Sequence, residues 1–165
     1  MFRATKFYPR GSDTRGAQWF RRHAWINHAA GISRTNIVCA GAGGPIVGYV
    51  TLSAGQIERG ALPKPQQRSK PDPIPATLLG QLAVHKDCQG QGYARSLLVF
   101  ALRAAFRASQ EIGSFGVFTR PLGESAWCLR PLGFPTSAFR SAPDHNRPYG
   151  RSGAKRVWVR QLRLS

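Results

Sequence analysis

A chain of 165 residues suits one domain with a buried core, and its 42% hydrophobic content is ordinary for a globular protein. No apolar run is long enough to span a membrane, and Met1-Phe2-Arg3-Ala4-Thr5-Lys6 lacks the apolar core of a signal peptide. Cys39, Cys88 and Cys128 are odd in number and far apart, which excludes a disulfide framework and a paired-cysteine metal site and makes the cytoplasm the expected setting. Lys and Arg number 24 against 7 Asp and Glu, a formal net charge of +17, and most of the cations are arginine. Arginine meets phosphate oxygens with a planar fork, so the excess implies a polyanionic partner or substrate. A solvated basic surface is the plainer alternative.

Residues 1–16 carry Arg3, Lys6, Arg10 and Arg15 among turn formers and leave room for a short first strand. Residues 18–30 read as a helix, with Trp19, His23, Ile26 and Ala30 at helical spacing and Arg21 and Arg22 on the polar side. Trp19 and Trp25 are expected in the core. Gly31 suits the left-handed residue that closes a helix. Residues 35–40 and 45–54 are β-rich and flank Gly41-Ala42-Gly43-Gly44, which predicts a hairpin.

Residues 55–75 hold five prolines together with Arg59, Lys64, Arg68 and Lys70. Proline at that density disfavours a central strand, so the segment reads as a loop, functional or disordered. Strand character returns over 76–84. A helix is expected over 94–109, its apolar stripe formed by Leu97, Leu98, Ala101, Leu102, Ala105 and Ala108. A strand over 115–120, a helix over 124–132 closed by Gly133-Phe134, a polar loop over 141–153 and a last strand through Val157 and Val159 complete the chain. This order implies one α/β or α+β domain over 1–165.

The most informative stretch runs from Leu82-Ala83-Val84 through Gln89-Gly90-Gln91-Gly92 into Tyr93-Ala94-Arg95. An apolar strand enters a turn with two glycines, and an amphipathic helix leaves it. The helix start offers backbone N–H groups without intrahelical partners, at the positive end of the helix dipole. Such a start binds anions, a diphosphate among them. The spacing Gln-x-x-Gly-x-Ala is not a P-loop, since no Gly-Lys-Ser/Thr follows, and it lacks the third glycine of a dinucleotide fold. An ordinary strand-to-helix turn has the same composition. His85 beside it reads as structural or solvated, and four scattered histidines make no metal site.

The stretch resembles the acetyl-CoA-binding motif of the GNAT acetyltransferases, Arg/Gln-x-x-Gly-x-Gly/Ala. Residues 35–134 follow that family's element order. Ser33-Arg34-Thr35, Gly48-Tyr49, Leu52-Ser53-Ala54-Gly55, Ile74-Pro75 and Leu79-Gly80-Gln81-Leu82-Ala83-Val84 look like the acetyltransferase toxins of bacterial toxin–antitoxin pairs. The resemblance implies a GNAT-like mixed central sheet flanked by helices, acetyl-CoA as co-substrate and no metal. It implies acetylation of the α-amino group of aminoacyl-tRNA, which blocks translation. The implied partners are tRNA and a ribbon-helix-helix antitoxin, with no membrane; a homodimer stays open.

In such a fold the backbone of Leu82, Ala83 and Val84 would bond the pantetheine amides. Gln89, Gly90, Gln91, Gly92, Tyr93, Ala94 and Arg95 would surround the diphosphate, with Tyr93 serving packing. Arg34, Arg59, Arg68 and Lys70 would meet RNA, as would a tail set of Arg147, Arg151, Lys155 and Arg156; Trp19, Trp25 and Trp158 are the candidates for base stacking. The family's late helix carries a tyrosine as general acid at the position that is Cys128 here, followed by Pro131. Cys128 is therefore either a weaker proton donor or an inert filler. Two other readings stay open: a catalytically weakened relative that binds RNA or an antitoxin, and an enzyme for a small amine or protein N-terminus.

Overall fold

The computed structural model describes residues 15–119, 139–140 and 156–161. Six strands form one sheet in the order β1-β2-β3-β4-β6-β5. They are β1 (Arg34–Cys39), β2 (Ile46–Ile57), β3 (Ile74–Val84), β4 (Gly116–Thr119), β5 (Phe139–Arg140) and β6 (Arg156–Gln161). The β3–β4 pair is parallel, and the others are antiparallel. The expected mixed sheet with flanking helices is the observed architecture.

Side chains alternate across β2, so each face of the sheet takes a different helix. Val50 and Leu52 face α4 (Tyr93–Glu111), where Leu97, Leu98, Ala101 and Ala105 join Leu79 and Val117 in the main core. Replacing Leu98, which is 1% exposed, with alanine would cost about 2–5 kcal/mol. Tyr49 points to the opposite face, under the first helix. That helix consists of α1 (Arg15–Trp19), a π-helical turn (Phe20–Ala24) and α2 (Trp25–Ala29). Trp19 stacks parallel to the Tyr49 ring with centroids 6.0 Å apart, and Phe20 tilts against it at 4.7 Å. The buried Tyr49 hydroxyl donates to the Gly16 carbonyl at 2.8 Å, which fixes the helix start on the sheet.

Several expectations need correction. Trp25 and Ile26 are 66% and 62% exposed, because the sheet takes Ala17, Ala24 and the Trp19–Phe20 pair instead. Ala108 is exposed too, lying beyond the last buried turn of α4. The segment 55–75 is no open loop. Strand β2 runs to Ile57 and β3 begins at Ile74, with a 3-10 turn (Arg59–Ala61) and α3 (Lys64–Gln67) between them.

Ala61 and Leu62 are buried there, Leu62 in a second core with Ile57, Ile74, Ala76 and Phe118. Prolines are tolerated for local reasons. Pro65 sits in the first turn of α3, where its missing N–H costs nothing. Pro75 precedes the β3–β4 pairing, which starts at Thr77, and its carbonyl accepts from Phe115 N–H at 2.9 Å. Of the segment 1–16 expected to hold a first strand, residues 15 and 16 belong to α1 and 1–14 lie outside the described residues, as do the expected helix over 124–132 and loop over 141–153.

Candidate functional site

The site begins with an irregularity in β3. Thr51 pairs with Gln81 but Leu52 pairs with Leu79, so Gly80 is an extra residue opposite β2. This bulge reconciles the apolar spacing, since Leu79, Leu82 and Val84 all pack on the α4 core although they are three and then two residues apart. Thr51 Oγ1 accepts Gln81 N–H at 2.9 Å, which satisfies an amide at the bulge. A Cβ on Gly80 would meet that oxygen at 3.1 Å. Among the described residues, parallel pairing to β4 covers Thr77, Leu78 and Leu79, and Thr119 Oγ1 donates to the Leu79 carbonyl at 2.9 Å. Beyond the bulge β3 keeps its β2 partner up to Gly48↔Val84 and has no pairing to β4. Among the described residues nothing pairs with this edge of β3 over residues 80–84, about 13 Å at ~3.3 Å per residue.

This edge leads directly into the glycine turn. His85 is buried; its N–H donates to the Val47 carbonyl at 2.7 Å, and its Nδ1 accepts Asp87 N–H at 3.2 Å. The ring therefore caps the 3-10 turn (Lys86–Cys88), with Asp87 Oδ2 3.6 Å from the same nitrogen. Gln89 Nε2 donates to the Val84 carbonyl and Gln91 Nε2 to the Asp87 carbonyl, each at 3.3 Å. These bonds pin the loop to the strand that feeds it.

Gly90 and Gly92 have φ of +77° and +84°, a region costly for residues with a Cβ, and nothing lies within 4 Å of where a Cβ would stand. The first helical bond of α4 is Ser96 N–H to the Gly92 carbonyl at 3.0 Å. Tyr93, Ala94 and Arg95 N–H precede it and have no acceptor within the helix. No side chain caps this start, and no acidic residue stands in its first turn. A 19-residue helix with an uncapped, glycine-cleared N-terminus has backbone donors that could accept an anion. The β3 edge beside it, unpaired among the described residues, suits an extended chain carrying amides.

Of the residues picked out by sequence, Leu82, Ala83, Val84, Gln89, Gly90, Gln91, Gly92, Tyr93, Ala94 and Arg95 form this one contiguous feature. Arg59, Arg68 and Lys70 do not join it. They sit near Ile74, at the other end of β3, about 33 Å away at ~3.3 Å per residue. Arg59 Nη1 donates to the Lys70 carbonyl at 3.3 Å, its backbone N–H donates to Asp72 Oδ1 at 2.9 Å, and Lys70 Nζ lies 4.6 Å from the Phe115 ring centroid. Two of those three cations thus help hold their own segment together. Arg34 is exposed at the start of β1.

Cys128 and the tail positions Arg147, Arg151 and Lys155 lie outside the described residues, and Arg156 begins β6. Sequence reasoning missed Thr51, Gly80 and Thr119, although the broken alternation of Leu79, Leu82 and Val84 pointed to a bulge. It also missed the capping role of His85. Among the described residues no group of three or more His, Cys, Asp or Glu could hold a metal ion, and no helix is long and apolar enough to cross a membrane.

Comparison with known proteins agrees with this geometry. Residues 3–121 match the model of the acetyltransferase (GNAT) family. A tRNA-acetylating toxin of Mycobacterium tuberculosis is 32% identical over 108 residues, which cover 66% of this chain and 64% of the toxin. The match thus spans less than two thirds of that relative's length. Among solved structures, a tyrosine-to-phenylalanine mutant of KacT superposes with a TM-score of 0.71 at 31% identity, covering 88% of this chain and 81% of that one. AtaT complexed with acetyl-methionyl-tRNAfMet gives 0.71 at 28% identity, with 88% and 80% covered. AtaTR bound with acetyl-CoA gives 0.65 at 27%, again with 88% and 80% covered.

Proposed function

This chain belongs to the GNAT acetyltransferase family, and we propose that it transfers an acetyl group from acetyl-CoA to the α-amino group of aminoacyl-tRNA and so inhibits translation. The observation that carries the reading is the β3 segment 80–84, its edge unpaired among the described residues, running into the Gly90–Gly92 turn and the uncapped start of α4. The diphosphate of acetyl-CoA would rest on the amides of Tyr93, Ala94 and Arg95, in the space the two glycines leave. Its pantetheine would lie along Leu82, Ala83 and Val84 as an added strand. The thioester end then reaches the bulge at Gly80, beside Leu79 and Thr119. Acetyl-CoA supplies an activated acyl group with a thiolate as leaving group.

The residues of this chain have an undemanding task. An α-amine has a reference pKa of about 7.7–8.0, so part of it is neutral near pH 7.5 without a dedicated base. The amine nitrogen attacks the thioester carbonyl, the N–C bond forms, the C–S bond breaks, the nitrogen gives up a proton and the thiolate takes one. Holding amine and thioester together supplies most of the acceleration. A net charge of +17 favours a polyanionic acceptor over a small amine. The names of the relatives point the same way, to a tRNA-acetylating toxin and to an acetyl-methionyl-tRNA complex. A ribbon-helix-helix antitoxin as partner and the whole of 1–165 as one domain belong to the same proposal.

Cys128, at the position of the family tyrosine, favours one second reading: a slow or inactive relative that binds RNA or an antitoxin. Incubation with labelled acetyl-CoA and aminoacyl-tRNA separates the two. Label in the aminoacyl-tRNA supports the enzyme, and CoA binding without any transfer supports the binding protein. Growth arrest on induction, relieved by a co-expressed partner, would support the toxin role.

A further inference from the structure

Among the described residues three polar side chains are buried, Thr51, His85 and Thr119, and all three bond to the backbone of β3 or of the turn it feeds. A buried polar group costs stability unless it is hydrogen-bonded, so each marks a backbone group held in one direction. His85 serves the turn. The two threonines serve one residue, Gly80. Thr119 Oγ1, from β4, donates to the Leu79 carbonyl, and Thr51 Oγ1, from β2, accepts Gln81 N–H, each at 2.9 Å. Hydroxyls from the two neighbouring strands therefore fix the peptide planes on both sides of Gly80.

A trans peptide points its carbonyl and its N–H in opposite directions, and the Gly80–Gln81 peptide is trans. Gln81 N–H is turned to β2, so the carbonyl of the same plane, that of Gly80, is turned to the other edge of β3. Leu82 turns to that edge as well. The bond from His85 N–H to the Val47 carbonyl makes 47–85 a hydrogen-bonded pair, and an antiparallel ladder alternates. Tyr49↔Ala83 is then bonded and Val50↔Leu82 is not, which leaves the Leu82 N–H and C=O facing away from β2. In the proposed complex the pantetheine amide nearest the sulfur takes Leu82. Only two carbons separate that amide from the sulfur. The thioester therefore comes level with Gly80, about 6.6 Å back along the strand at ~3.3 Å per residue.

We propose that Thr51 and Thr119 are positioning residues for acetyl transfer, which aim the Gly80 carbonyl at the attacking amine. The inference rests on the proposed transfer to aminoacyl-tRNA and deepens it. The carbonyl accepts one N–H of the neutral amine, which turns the nitrogen lone pair toward the thioester carbon. As the N–C bond forms, the nitrogen becomes positive and its N–H a stronger donor. The hydrogen bond therefore strengthens on the way to the transition state. The carbonyl holds the N–H and takes no proton; the nitrogen loses its proton as the C–S bond breaks and the thiolate gains one. Glycine suits position 80, since a Cβ there would crowd Thr51 Oγ1 at 3.1 Å.

The test is steady-state acetyl transfer to aminoacyl-tRNA by the full chain, well below the melting temperature of every variant, with CoA affinity measured by calorimetry. Thr51→Val keeps the shape and removes the acceptor. Its kcat should fall by about 10- to 100-fold, the effect of a misplacement of about 1 Å, while KM for acetyl-CoA and CoA affinity stay at the parent's. Thr51→Ser restores the hydroxyl and should recover most of kcat. Thr119→Val should lower kcat in the same way from the other strand, and it carries the test if Thr51→Val fails to fold. A purely structural role would lower the melting temperature of the valine variants and leave kcat alone. If the parent transfers acetyl and a folded valine variant matches its kcat, the inference is overturned while acetyl transfer stands. A valine variant that loses CoA affinity in step with kcat overturns it too, as does Thr51→Ser falling as far as Thr51→Val. If the parent transfers no acetyl group to aminoacyl-tRNA, both readings fall.

Discussion

Substitution of Gly92 separates the backbone requirement of the turn from its proposed role as an anion cradle. Gly92 sits at φ +84° with nothing within 4 Å of its Cβ position, so Gly92→Ala adds no clash. Its cost is the left-handed backbone alone, about 1–2 kcal/mol. If the free loop relaxes to escape that strain, CoA binding must restore the native turn, and affinity falls by about 5- to 30-fold. Gly92→Glu carries the same strain and adds a carboxylate where the diphosphate would rest. Two like charges about 4 Å apart at an effective dielectric of about 20 repel by about 4 kcal/mol. Affinity should then drop by at least about 100-fold, and by up to about 10⁴-fold if the side chain cannot turn away.

Without cofactor the glutamate gains about 0.3–1 kcal/mol from the positive end of α4, so Gly92→Glu should melt no lower than Gly92→Ala. Each should melt within about 2–8 °C of the parent, since ~1 kcal/mol moves a chain of this size by ~2–4 °C. Gly113 also has open space at its Cβ position and lacks the positive φ, so Gly113→Ala should match the parent in both measurements. Calorimetric titration with CoA and thermal melts of the four proteins decide the matter. A Gly92→Glu protein that melts as expected yet binds CoA like the parent would refute the assignment of the site.

Three further outcomes are expected. Tyr49→Phe removes the 2.8 Å bond to the Gly16 carbonyl and should cost about 1–2 kcal/mol in denaturant unfolding, with faster hydrogen exchange along α1. His85→Ala removes the cap on Asp87 N–H and leaves a cavity under the loop; unfolding should become easier by about 2–4 kcal/mol, and CoA affinity should fall with it. Cys128→Tyr should raise acetyl transfer to aminoacyl-tRNA, by up to about 10²–10⁴-fold if proton delivery to the thiolate limits turnover. An unchanged rate in a variant that still binds CoA would show that position 128 alone does not limit transfer.

Local order was legible in the chain itself. The β-rich composition of β2, the stripe Leu97, Leu98, Ala101 and Ala105 on α4, and the left-handed glycines at 31, 90 and 92 all follow from neighbours a few residues apart. Such features depend on backbone sterics and on which residues avoid water, and both are written into the sequence at short range. The glycine turn and the uncapped helix start were therefore recognisable before the fold was known.

Pairing between distant segments decided the rest. Gly80 becomes an extra residue only once Thr51 and Leu52 are set opposite Gln81 and Leu79, and among the described residues the pairing of β3 with β4 covers Thr77–Leu79 alone. Trp25 looks like a core residue by composition, yet the sheet beneath the first helix had already taken Trp19 and Phe20 onto Tyr49. Arg59 and Lys70 look like free cations until the Lys70 carbonyl is brought to the Arg59 guanidinium and the Phe115 ring to the Lys70 ammonium. Burial is a competition for a limited apolar surface, and its outcome depends on every segment that reaches that surface. The sequence by itself therefore determined where an anion could be cradled. The tertiary structure determined which residue of β3 bulges beside it and which aromatic side chains the sheet buries.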